Sequence, residues 1–127
     1  MAGARELVRL DVPAQPAFVG VARAVVATVA TTVEGIDDDR LDDLRLAVSE
    51  ACTNAVEQAD SHRVVVRCEA DDEWLDVVID DPTASASDVT LAEGGWGYQL
   101  ITALVDDVDF ATDDGVTSVR LRMRLTP

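Results

Sequence analysis

The chain opens with an alternating stretch. From Glu6 to Val12, Val8, Leu10 and Val12 fall on one side, which predicts a first strand. Pro13 and Pro16 end it and open a helix, since proline is tolerated in a first helical turn. That helix runs from about Ala17 to Thr32, with Phe18, Val21, Val25 and Val29 as its expected buried stripe, and Gly35 stops it. Asp37, Asp38 and Asp39 follow, any of which can cap the next helix and favour its positive end. The second helix is predicted from about Arg40 to Ala59, burying Leu41, Leu44, Val48, Ala51 and Ala55.

Period-two patterns then return. Arg63 to Glu69 puts Val64, Val66 and Cys68 on one face, and Trp74 to Asp80 buries Leu75, Val77 and Ile79. Ala70-Asp71-Asp72-Glu73 is the tight turn between them. Pro82 to Glu93 is a loop of small residues without periodicity, after which Gly94, Gly95 and Gly97 introduce a third helix, Tyr98 to Val105. Two last strands, Val108 to Thr112 and Val116 to Leu125, meet at an Asp114-Gly115 turn. Arg120, Arg122 and Arg124 share one face of the final strand. The order predicts an α+β two-layer sandwich, with helices on one face of a mostly antiparallel sheet and the arginine face open. The length of 127 residues favours one domain, 1–127.

Charge narrows the chemistry. The chain has 25 acids against 10 bases, a net of -15, and every base is an arginine. Without lysine there is no P-loop, no Schiff-base chemistry and no strand lysine of the usual protein-kinase fold. A surface this acidic repels nucleic acid. Cys52 and Cys68 are too few for a disulfide framework or a zinc site and read as small buried hydrophobes. The longest apolar run, Ala17 to Ala30, is short for a bilayer and carries Arg23, so no membrane association and a cytoplasmic location are expected.

Three short elements carry candidate chemistry. Glu50 and Asn54 lie four apart, so they stack on one face of the second helix. A carboxylate can take a proton from a nucleophile, and an amide oxygen is a hard ligand suited to Mg²⁺; the same spacing is also common on solvated helices. Gly94-Gly95-Trp96-Gly97 enters a helix, where backbone N–H groups and the dipole favour an anion. Asp80-Asp81-Pro82 closes a buried strand, as a turn or as an acceptor for an amino group. His62, the single histidine, reads as a solvated turn residue.

In this order, these elements resemble the anti-sigma-factor serine/threonine kinases of the GHKL superfamily, which have the Bergerat ATP-binding fold. The likeness runs from about Arg5 to Leu125, and Leu44 to Ala59 resembles the family's N-box. The resemblance implies Glu50 as catalytic base, Asn54 as Mg²⁺ ligand and Asp80 as the adenine-contacting aspartate. It further implies Gly95 and Gly97 as the second glycine box and Thr117 as a threonine near the adenine. ATP and Mg²⁺ are the implied cofactors. A sigma factor and an anti-anti-sigma protein phosphorylated on serine are the implied partners, with a homodimer possible. The chain departs from the pattern at Pro82, where the family has a glycine, and in a lid, Pro82 to Glu93, without a basic residue. These departures point to an alternative, a binding module of the same fold that switches partners without nucleotide turnover.

Overall fold

The computed structural model describes residues 3–58, 63–81, 96–113 and 116–126. Its elements follow the predicted order: β1 (Arg5–Pro13), α1 (Ala17–Ala30), α2 (Asp38–Gln58), β2 (Arg63–Ala70), β3 (Trp74–Asp81), α3 (Trp96–Leu104), β4 (Asp107–Asp113) and β5 (Val116–Arg124). The strands form one five-stranded sheet in the order β1-β2-β3-β5-β4. Every neighbouring pair is antiparallel. The predicted lid, Gly94, Gly95, His62 and the Asp114-Gly115 turn lie outside the described residues.

Helices cover one face only. The core joins Val26 and Ala30 of α1, Leu44 and Val48 of α2 and Ile101 of α3 to Val66, Leu75, Val77, Ile79, Leu121 and Met123 of the sheet. Asp37 starts α2: its Oδ1 accepts the Arg40 N–H at 2.8 Å and its carbonyl accepts the Leu41 N–H at 2.9 Å. Both cysteines are buried among apolar groups, and burial pushes each thiol up to about 12, as expected of packing residues.

The buried stripe of α1 differs from the expected one. Ala22, Val26, Ala27 and Ala30 face the core, while Val21 is 47% exposed. This helix is apolar around most of its circumference, so its own pattern does not choose a face. Ala22 and Ala30 bring the α1 backbone close to its neighbours, which a bulkier stripe would prevent.

The other face carries an ionic layer. Arg67 bonds Glu69 at 3.1 Å and Asp80 at 3.0 Å. Arg120 reaches Glu69 at 3.1 Å and Asp76 at 2.7 Å, and Arg122 reaches Asp76 at 3.1 Å. The Arg122 guanidinium also lies 4.4 Å from the centre of the Trp74 ring. Burial disfavours the Arg120 charge, but its bonds to Asp76 and Glu69 outweigh this and hold its pKa above the ordinary value. The arginine row is therefore a partly buried strand face paired with its own acids.

Candidate functional site

The site begins on α2. Glu50 and Asn54 are half-buried, one turn apart, beside the buried positions Ala47, Ala51 and Cys52. Their neighbour across the groove is the first turn of α3. A Cβ built on Gly97 would lie 2.8 Å from Asn54 Nδ2 and 2.9 Å from Glu50 Oε1. Real Cβ atoms essentially never sit so close to a heavy atom, so with any side chain at position 97 the Asn54 and Glu50 ends would have to move from where they stand. The fold thus brings together three of the residues marked in the sequence, from two separate segments.

The strand residues divide. Asp80 points to the open face, where its carboxylate accepts hydrogen bonds from Arg67 Nε at 3.0 Å and from the Ser118 hydroxyl. It is not on the helix side. Asp81 is, because the inward alternation Leu75, Val77, Ile79 continues to it. Asp81 is 5% exposed, its Oδ2 is fully buried, and Thr117 is its register partner on β5, itself buried. α2 ends at Gln58 and β2 starts at Arg63. β2 and β3 run antiparallel, with the start of β2 beside the end of β3, so Asp81 and Thr117 lie at the sheet end to which α2 delivers the chain. The sequence carries the signal for this side: the alternation that buries Leu75, Val77 and Ile79 continues to Asp81.

The donor set suits a hard cation carried by a phosphate ligand. It offers one carboxylate, one amide and an approachable backbone at a helix start, all oxygen- or nitrogen-based. Among the described residues, no group of three or more His, Cys, Asp and Glu side chains forms a metal cage. A Mg²⁺ ion here would need oxygens from its own ligand, as metal–nucleotide sites usually provide. Two cavities lie elsewhere. One of about 590 Å³ is lined by Arg5, Gly35, Asp71 and Thr126, and one of about 300 Å³ between α1 and α2 by Val19, Arg23, Thr53 and Val56.

Comparison with known proteins agrees with this fold. Residues 12–123 match the model of the histidine kinase-like ATPase domain, and the chain belongs to that family. Within it, the chain is 33% identical to the serine-protein kinases RsbW of Bacillus pumilus and Bacillus subtilis, over 88% of its own length and 82% of theirs. The resemblance to the anti-sigma-factor serine/threonine kinases therefore holds at the level of family. Among solved structures, the chain superimposes on the RsbU and RsbW domains of Rv1364c from Mycobacterium tuberculosis with a TM-score of 0.69. The identity there is 23%; the match covers 93% of this chain and 32% of the longer one, and it shows the fold.

Proposed function

We propose that this chain acts as a single-domain, cytoplasmic anti-sigma regulatory factor. It binds ATP–Mg²⁺, holds a sigma factor and phosphorylates a serine of an anti-anti-sigma protein. The kind of partner rests on the family, whose curated relatives are named serine-protein kinases. Location rests on composition, with no helix long and apolar enough to cross a membrane among the described residues. The observation that carries the reading is the seating of Gly97 against Glu50 and Asn54.

Each residue has one task. When bound, ATP–Mg²⁺ would supply the phosphoryl group and positive charge beside it. The Asn54 amide oxygen would hold the ion. Glu50 accepts the proton of the serine hydroxyl as its oxygen bonds to the γ-phosphorus and ADP departs. Gly97 and the start of α3 admit the phosphate oxygens to backbone N–H groups, and Gly95, two positions earlier in the sequence, shares this role by the family likeness. Asp81, opposite Thr117, takes the base-reading role, since its carboxylate faces the helix side while that of Asp80 is engaged on the other face.

Calorimetry and phosphotransfer test the reading together. The wild type is expected to bind ATP–Mg²⁺ and label a serine-bearing partner. Glu50→Gln should keep binding within about threefold and lose at least about a hundredfold in transfer, the scale of general-base catalysis. No saturable heat with millimolar ATP–Mg²⁺ would overturn the nucleotide reading. The second reading, a partner-binding module without turnover, is favoured by Pro82 and by a lid with no arginine or lysine. It predicts equal capture of a sigma factor by wild type and Asn54→Ala in the absence of ATP.

A further inference from the structure

The two helices that form the site also meet at their other ends. α2 runs toward Asn54 from its first turn at Arg40, and α3 runs away from Gly97 toward the bend at Asp106. There the Asp106 carboxylate accepts a hydrogen bond from the Arg40 guanidinium and another, at 2.7 Å, from the Arg124 backbone N–H of β5. The Asp106 N–H donates to the Arg122 carbonyl at 2.9 Å, fixing the bend to the sheet. One carboxylate thus ties the start of α2, the end of α3 and β5.

From Arg40 to Glu50 is ten helical steps, about 15 Å; from Gly97 to Leu104, the end of α3, is seven, about 10 Å, and the bend at Val105 and Asp106 completes the reach. The helices form a frame closed at one end by Arg40 and Asp106 and at the other by Gly97 on Glu50 and Asn54. Helix preference does not explain Arg40. A cation in the first turn opposes the helix dipole, and Asp37, Asp38 and Asp39 beside it satisfy that dipole already. Neither does burial, since the Arg40 and Asp106 side chains are 34% and 38% exposed. A pair so exposed contributes little to global stability. Its consequence is positional: Gly97 has no side chain to interlock with α2, so its seat depends on how α3 is held elsewhere.

We propose that Arg40 and Asp106 are positioning residues that set α3 against α2 and so hold Gly97 on the Glu50–Asn54 pair. The proposal concerns the site on which the kinase reading rests, and its primary test needs no nucleotide. Asn54 is the only asparagine of the chain, beside three glutamines, so its side-chain NH₂ signals are readily assigned in a nitrogen-15 spectrum. Arg40→Ala removes the guanidinium and leaves the Asp106 bond to Arg124 intact. The Asn54 side-chain signals and the Gly97 amide are expected to shift clearly, while the Gly20 amide on α1 stays in place. Arg40→Lys should return them most of the way. Unmoved Asn54 and Gly97 signals in a folded Arg40→Ala protein would overturn the proposal. So would shifts spread evenly over the chain, which mark a general loosening. Should Arg40→Ala fail to fold, Asp106→Asn, which keeps an acceptor for Arg124, carries the same comparison at the Gly97 and Gly20 amides. Calorimetry then separates the two claims. If wild type binds ATP–Mg²⁺, Arg40→Ala should weaken it about three- to tenfold. If wild type does not, the nucleotide reading falls while the signal shifts still decide the clamp.

Discussion

At the scale of single residues, the site turns on one missing side chain and one choice of face. Gly97→Ala would place a methyl group within 3 Å of Asn54 Nδ2 and Glu50 Oε1. Both are ends of flexible side chains, so the fold should survive while the pair is pushed off its position. The expected outcome is a melting temperature within a few degrees of wild type and at least about tenfold weaker ATP–Mg²⁺ binding, read by thermal unfolding and calorimetry. The choice of face separates two adjacent aspartates. Asp81→Ala should abolish the preference for ATP over GTP in competition binding, whereas Asp80→Ala should leave it unchanged. Asp80 is the residue marked by family likeness, and a loss of preference in Asp80→Ala alone would support that assignment. Both aspartates end the same strand, and only its alternation distinguishes them.

Secondary-structure elements were readable from periodicity to within about two residues at most ends, because each strand and helix repeats on a local scale. Turns were readable from their side chains. Asp71 closes the β2–β3 turn by accepting the Glu73 and Trp74 N–H groups, each at 2.8 Å. Those bonds hold its carboxyl below the ordinary carboxylate value. A lowered folded-state pKa stabilises the fold above the unfolded value and loses that contribution as pH falls through the folded one. Asp71→Asn, which keeps the acceptor and removes the charge, should therefore be less stable than wild type near neutrality. The gap should close as pH drops below about 4, measured by urea titration across that range. Connections between elements were less legible. Gly35 has a φ of 102°, and a Cβ there would meet the Thr126 carbonyl at 2.6 Å, so the α1–α2 link is pressed against the end of the chain. The sequence marks Gly35 only as a helix stop.

For the whole molecule, the sheet's open face shows how an acidic chain uses its arginines. Asp76, on this face, is only 7% exposed yet carries two of them. Asp76→Ala would leave Arg122 with the Trp74 ring and Arg120 with Glu69 alone. A loss of about 2–3 kcal/mol is expected from urea unfolding, the scale of breaking a largely buried ion pair tempered by the exposure of its arginines. The sequence by itself determined the order of elements, the two-layer class and the stacking of Glu50 on Asn54, because these follow from repeats of two or 3.6 residues. It also determined that any phosphate recognition here cannot use lysine. Only the tertiary structure decided which side of α1 is buried, since a helix apolar around most of its circumference carries little contrast of its own. It alone seated Gly97 on Glu50 and Asn54 and tied Arg40 to Asp106. Local periodicity says which residues share a face; which faces meet is set by packing between segments far apart in the chain.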